Sequence, residues 1–452
     1  MELPDGREAF AARALLADAA ERTLDIQYYI WRNDMSGTLL LDALRRAADR
    51  GVRVRLLLDD NNTAGLDTLI AAIDAHPQIE VRLFNPFTLR RWRVLNYFTD
   101  FARLNRRMHN KTFTADNQVT IVGGRNVGDE YFDAHQEFSF VDLDVLAIGP
   151  VVADVSADFE RYWQSASSYP AESILPEADR ESIRTVERAA QAVVQNPASK
   201  EYLSALANFR FVHDLLAGTL GYRWALTHMV SDDPAKGLGK RGPRGTLLER
   251  LEQVLGTPQR ELELISPYFV PTREGAEMLA DLAKRGIQIT ILTNSLEATD
   301  VAVVHAGYAK RRRQLLSSGV TIYELMRGSE HRTRGDRKFT GSSGSSLHAK
   351  TFSVDRTRVF VGSFNLDPRS AELNTEIGFV MECPELADDI AGRLANRFPE
   401  RSYRVRLRDD GKLEWVELRD EEEIVHTREP RTPWWRRTLV SLLALLPIEW
   451  LL

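Results

Sequence analysis

Two blocks of this chain each occur twice, in the same order and at nearly the same spacing. That duplication limits the fold more than any bulk property does. The first pair is LDIQYYIWRNDMSGTLLLDALRRAADRGVRVRLLLDDN, Leu24 to Asn61, and LELISPYFVPTREGAEMLADLAKRGIQITILTNS, Leu262 to Ser295. Each reads as a β-branched and aromatic strand, a turn, an amphipathic helix ending in Arg-Gly, and a second buried strand. Gly51 and Gly286 stand where a helix end takes a left-handed residue. This is a βαβ unit, which calls for parallel strands with helices outside.

The second pair is HNKTFTADNQVTIVGGRN, His109 to Asn126, and HAKTFSVDRTRVFVGSFN, His348 to Asn365. His109 lies 58 positions after Gly51 and His348 lies 62 after Gly286. Chance likeness of common βαβ units explains the first pair but not the second, so the chain is a duplicated domain. The expected organisation is a first domain over 1–165, a helical connector or insertion over 166–245, a second domain over 246–400 and a tail over 401–452. The expected fold class is α/β, with mixed, mainly parallel sheets flanked by helices and a pseudo-twofold active site between the two copies.

Each second block runs His-x-Lys, four residues, Asp, six residues, Gly-Gly or Gly-Ser, one residue, Asn. Side chains two apart on a strand share a face, so His109 points with Lys111 and His348 with Lys350. A neutral imidazole beside a fixed ammonium is a nucleophile next to a phosphate clamp. One unit supplies a nucleophile without an acid; two units facing each other supply both. A lone histidine is most often structural, but two matched motifs at equivalent places in a duplicated fold point to chemistry.

The bulk numbers narrow the setting. A 43% apolar and 27% charged composition is that of a globular protein, and a net charge of −6 leaves no global field toward a polyanion. The single cysteine, Cys383, excludes an intramolecular disulfide and a cysteine metal cluster. Met1 to Leu16 has neither the basic start nor the apolar run of a signal peptide. No stretch reaches the roughly 18 apolar residues of a spanning helix.

The paired motifs resemble the phospholipase D superfamily over nearly the whole chain. Within it the likeness is to bacterial cardiolipin synthases of the C type, through QYYIW (Gln27 to Trp31), RLNRRMHNK (Arg103 to Lys111), VVHAGYA (Val303 to Ala309), SFNLDPRS (Ser363 to Ser370) and the closing LPIEWLL. The resemblance implies two phospholipase D-like domains, no metal or other cofactor, and a phosphohistidine intermediate. It implies His109 as nucleophile and His348 as general acid and base, with pseudo-symmetry leaving the reverse open. It makes Lys111 and Lys350 the holders of the phosphoryl oxygens, Asn126 and Asn365 amide donors, and Ser363 an added hydroxyl where the first motif has Gly124. An attacking imidazole needs its second nitrogen held by a carboxylate. Glu376 stands in the family's place for this, and DLDV offers Asp142, which the resemblance favours, or Asp144, which sliding one half over the other favours. Asp116 and Asp355 fall at strand-end turns, where aspartate serves either the backbone or the chemistry.

Other signals bear on the partner. Lys310 to Arg313 reads as a solvated cationic face, and His305 beside it as a substrate contact or a satisfied helix histidine. Arg90, Arg91, Arg93, Arg103, Arg106 and Arg107, interleaved with Trp92, Phe98 and Phe101, precede His109. Arg327, Arg332, Arg334, Arg337 and Lys338 precede His348, followed by the linker-like GSSGSS of Gly341 to Ser346. Such clusters suit an anionic membrane surface or a nucleic acid. Pro433 to Leu452, with Trp434, Trp435, Arg436 and Arg437 before an apolar run broken by Pro447 and Glu449 and ending near Trp450, suits a segment lying in a membrane interface, or else a helix packed on the core. The expectation is therefore a phosphatidyltransferase on a bacterial cytoplasmic membrane, held peripherally or by an interfacial anchor. The resemblance implies that it makes cardiolipin, with phosphatidylglycerol as acceptor and phosphatidylethanolamine as donor; no nucleic acid partner is expected. The rivals are a hydrolase of the same superfamily, lipase or nuclease, and a membrane-bound binding protein without catalysis.

Overall fold

The computed structural model describes residues 1–134, 139–207, 209–328 and 345–446. Arg332, Arg334, Arg337, Lys338, Gly341 to Gly344, Pro447, Glu449 and Trp450 lie outside the described residues.

Each half builds the expected βαβ core. In the first, strands Thr23–Tyr28, Arg53–Asp59 and Ile79–Phe84 run parallel. Helix Met35–Asp49 joins the first two, opened by the Asp34 side chain accepting from Gly37 N and closed at Gly51, whose φ is +95°. Its Leu40, Leu41, Leu44, Ala47 and Ala48 form the buried stripe that a core-facing helix needs. The second half repeats this with Glu261–Ile265, Gln288–Asn294 and Thr321–Leu325, and with helix Arg273–Lys284 capped by Thr272 and ending at Gly286, φ +90°.

The two large sheets are mixed, with helices on their faces, but within them parallel pairing is confined to these strands. The sheet of eight strands has two parallel and five antiparallel neighbours, and that of ten strands has two and seven. The expected mainly parallel character is thus corrected, for a local reason. The second block of each half folds as a hairpin, Thr112–Ala115 with Val119–Gly123 and Thr351–Val354 with Arg358–Gly362, and hairpins pair antiparallel. Strands outside the repeats extend the sheets further: Ser168–Pro170 edges the first, while Leu226–Ser231 and Ser402–Leu407, Leu413–Arg419 and Glu422–His426 extend the second.

The halves meet through a shared apolar core. Val122, Leu143 and Val145 of the first pack with Leu347, Val361, Ile377 and Phe379 of the second. Backbone pairing crosses the same boundary, since Ser345–Leu347 runs parallel to Ser139–Val141. The two His-x-Lys blocks are brought together by this junction.

Candidate active site

The motif's spacing is the register of its hairpin. Thr112 pairs with Val122 and Thr351 with Val361, so each His-x-Lys lies beside its own Gly-x-x-Asn at the open end. The motif aspartates sit at the closed end, in left-handed turns with φ of 53° at Asp116 and 54° at Asp355. There Asp116 accepts from the backbone of Glu21, Arg22 and Thr23, and Asp355 from that of Gln259, Arg260 and Glu261. These carboxylates pin the start of the first strand of each half, and the length of the hairpin separates them from the histidines.

At the open ends the halves exchange carboxylates. His109 Nδ1 lies 2.8 Å from Glu376 Oε2, and His348 Nδ1 lies 2.6 Å from Asp142 Oδ2. The backbone follows the same exchange, with His109 N donating to Thr375 O and His348 N to Val141 O. Each histidine is therefore held by the residue just before the opposing carboxylate as well as by the carboxylate itself. Sheet register makes the two acids equivalent: Gly123 pairs with Asp144 and Gly362 with Gly378, and each acid stands two residues before that partner, just ahead of its strand. Asp144 is instead salt-bridged to Arg13 at 2.8 Å and approached by Arg125, fixing the N-terminal helix Gly6–Ala19. Of the two candidates in DLDV, Asp142 meets the imidazole.

The rest of the site is asymmetric. Ser363 Oγ donates to Glu376, as does Ser370 Oγ at 2.8 Å, so the Ser363 hydroxyl is engaged with the carboxylate. A Cβ at Gly124, the matching position, would overlap Asp142 Oδ1. Lys111 and Lys350 are buried and donate to the carbonyls of His109 and His348. Asn126 Oδ1 accepts from Ile30 N at 3.1 Å, while Asn365 Oδ1 is buried with no hydrogen-bond partner among the described residues. Two aromatic rings not expected from the sequence complete the walls. Tyr29 stands edge-on to His109 at 5.0 Å between centroids, and Tyr131 edge-on to His348 at 5.2 Å. Tyr29 follows directly on the first parallel strand, and the carboxyl ends of such strands are where ligands bind in α/β sheets; Tyr131 carries no comparable signal.

Burial sets the electrostatics. It pushes His109 down to about 4 against the pull of Glu376, and His348 down to about 3 with Lys350 adding to the effect. Both imidazoles are neutral at pH 7, with Nδ1–H on the carboxylate, and Lys350 Nζ lies 3.3 Å from His348 Nε2. Burial likewise lowers Lys111 to about 7, opposed by Glu376, and Lys350 to about 8, opposed by Asp142. Despite their burial, Asp142 and Glu376 stay below the usual carboxylate range, held there by His348 and His109 respectively.

The other sequence signals resolve differently. His305 is buried in the helix Ala302–Ser317, 3.5 Å from Glu429. Its neighbour Arg312 is no solvated cation, being ion-paired to Glu324 and Glu429. Within the cluster before His109, Arg90 and Arg93 turn to Asp60 and Asp67, Arg103 to Asp100, and Arg107 to Asp59. The expected cationic surface is largely spent on internal ion pairs.

Comparison with known proteins agrees with the duplication. The family model described as "Cardiolipin synthase, PLD-like domain" matches residues 14–163 and again 251–398, one match per half. The chain is 52% identical to cardiolipin synthase C of Escherichia coli K12 over 446 residues, covering 98% of this chain and 94% of that protein. It belongs to the cardiolipin synthase family of phospholipase D-like phosphatidyltransferases. It is also 24% identical to cardiolipin synthase A of Pseudomonas putida GB-1, over 88% of this chain and 68% of that one. In fold it resembles the crystal structure of phosphatidylserine synthase from Haemophilus influenzae Rd KW20, with a TM-score of 0.64 at 14% identity over 100% of this chain and 95% of that one.

Proposed function

We propose that the chain makes cardiolipin by phosphatidyl transfer through His109, with phosphatidylethanolamine as donor and phosphatidylglycerol as acceptor. The observation that carries this reading is the carboxylate exchange, which leaves the Nε2 of two imidazoles for one phosphodiester, between two buried lysines.

His109 Nε2 attacks the donor phosphorus while Lys111 and Lys350, with the amides of Asn126 and Asn365, hold the non-bridging oxygens. The P–O bond to ethanolamine breaks, and the leaving oxygen takes from His348 Nε2 a proton that the ring acquires from solvent when the anionic phosphodiester binds beside it. Asp142 supports the cationic form of His348 that this step needs. A primary hydroxyl of phosphatidylglycerol then gives its proton to the neutral His348 and attacks phosphorus, so the P–N bond to His109 breaks and cardiolipin leaves. Glu376 and Asp142 keep both rings oriented throughout.

The setting is a phospholipid bilayer, the bacterial cytoplasmic membrane, with the chain at its surface. No helix of the described residues is long and apolar enough to cross a membrane. Helix Trp434–Leu443 instead carries Trp434, Trp435, Leu439 and Leu442 exposed, with Arg436 and Arg437 between them. This pattern supports an interfacial anchor.

The test uses mixed vesicles of phosphatidylglycerol and headgroup-labelled phosphatidylethanolamine with chelator present. Acid-quenched protein is examined for phosphatidyl label on histidine. Cardiolipin with released ethanolamine, lost in both His109→Ala and His348→Ala, is expected. Phosphatidate in place of cardiolipin would make the chain a hydrolase. Cardiolipin without ethanolamine release would overturn the donor.

A further inference from the structure

Helix Arg93–Leu104 lies just before His109 and carries an apolar face that nothing in the described chain covers. Phe98 is 84% exposed, Val94 72% and Trp92 64%, and Leu89, Leu95 and Phe101 join them at the surface. Positions 94, 95 and 98 share one side of the helix before its kink at Asp100 (φ −147°, ψ 41°), and Phe101 is exposed just beyond it, while Arg93, Asn96, Tyr97, Asp100 and Leu104 are partly or fully buried. Monomeric proteins seldom leave contiguous aromatic surface of this kind without a partner.

The inward face reaches the catalytic centre. Tyr97 Oη donates to Asn61 Oδ1 at 3.1 Å, Asn61 Nδ2 donates to Tyr29 Oη at 3.3 Å, and Tyr29 stands edge-on to His109. One side of the helix is thus two side chains from the ring that walls His109, and the other is bare apolar surface. The C-terminal anchor helix sits correspondingly beside the other histidine. Its Arg436 donates to Thr299 O, in the loop whose Ala298 O accepts from Ser346 Oγ, two residues before His348.

We propose that helix Arg93–Leu104 is a second membrane-docking element, inserting Trp92, Leu95 and Phe98 into a phospholipid bilayer so that the two helices straddle the active site. This rests on the phospholipid substrate read above. The occupant is argued from charge: of the six arginines from Thr88 to Arg107, four are ion-paired within the chain, Arg91 and Arg106 have no ion pair among the described residues, and the one acid of the segment, Asp100, is itself paired to Arg103. Arg91 is exposed beside Trp92. Pro433 to Leu446 likewise holds two arginines and no acid. Apolar faces edged by arginine and free of unpaired acid complement anionic lipid.

Cys383 is the chain's one cysteine and is buried, so Phe98→Cys in a Cys383→Ser background takes an environment-sensitive fluorophore at one place. On phosphatidylglycerol–phosphatidylethanolamine vesicles the probe should shift to the blue and be quenched by bromine on the acyl chains. A probe that stays aqueous, while one at Leu445→Cys responds, overturns the proposal. Leu95→Asp with Phe98→Asp should lower turnover on vesicles at least about tenfold, as expected for one lost aromatic burial. The same variant should leave turnover of dispersed short-chain lipids unchanged. Equal loss on both substrates would place the helix inside the catalytic fold and sink the docking role. Self-association of the native chain that this variant abolishes, with no probe response to vesicles, would make the face a contact between copies. A native chain that turns over neither substrate, while its probe still inserts, would refute the catalytic reading and leave the docking standing.

Discussion

Glu376 of the second half holds His109 of the first at 2.8 Å, so the candidate nucleophile is oriented by a residue 267 positions away in the chain. The reciprocal contact, Asp142 to His348, means that neither half contains a complete site. Glu376→Gln keeps the shape but can present an amide N–H to Nδ1 and favour the wrong tautomer. It is expected to lower kcat by about 10²- to 10⁴-fold, the range for disabled proton management. Steady-state cardiolipin formation at saturating lipid checks this. A loss confined to KM would assign Glu376 to substrate binding instead.

The pH profile of kcat/KM follows from the lowered values in the free enzyme. His109 is neutral above about 4, so the acid limb should lie well below the ordinary histidine range. Lysines lose charge as pH rises through their pKa. With Lys111 near 7 and Lys350 near 8, the phosphate clamp should weaken across that interval. The alkaline loss should fall on KM, because it removes positive charge from both ground-state and transition-state binding. A profile flat from about pH 6 to about pH 9 would contradict the assignment of these lysines to phosphate.

Much of this was legible because the chain repeats itself. Gly51, Gly286 and the helix stripes gave the βαβ units, and the motif spacing marked a His-x-Lys strand with an aspartate at a strand-end turn in each half, though not the antiparallel hairpin that they form. The exchange was not legible. Sliding the halves matches Asp144 with Glu376, but the sheet register offsets that match, and only the packing of one half on the other decides which imidazole each acid meets. The arginines before His109 misled for a related reason. Their partners Asp59, Asp60 and Asp67 lie at the end of strand Arg53–Asp59 and just after it, and sequence does not show which cations are already neutralised. Phe98 and Trp92 were visible as aromatics among cations, but only the helix direction separates their bare face from Tyr97, which turns inward.

Asp116 and Asp355 are expected to matter for stability more than for turnover. Asp116→Ala removes the acceptor of three backbone N–H groups and places alanine at φ 53°. A cost of about 2 kcal/mol is expected, a drop of a few degrees in Tm, with turnover per folded molecule nearly unchanged. Despite partial burial, the backbone donors hold both carboxyls below the ordinary aspartate value. Their contribution is therefore complete above about pH 4 and is lost as pH falls through the depressed native values. Thermal melts of both alanine variants test this. A large loss of turnover at unchanged Tm would return these residues to the chemistry.

The difference between Gly124 and Ser363 is matched to the acids they touch. Glu376 has the longer side chain and takes the Ser363 hydroxyl on the same oxygen that meets His109. Asp142 is one methylene shorter, and its Oδ1 occupies the space a side chain at 124 would fill. Gly124→Ser should therefore displace Asp142 and let the His348 ring turn. A misplacement near 1 Å at a catalytic group corresponds to about a 10²-fold loss in turnover. Adding Asp142→Glu copies the serine–glutamate arrangement of the other half and should restore about tenfold of that loss. If Gly124→Ser alone is fully active, Asp142 does not depend on the bare backbone at 124. If the double variant is no better than the single, the acids of the two halves are not interchangeable despite their matching register.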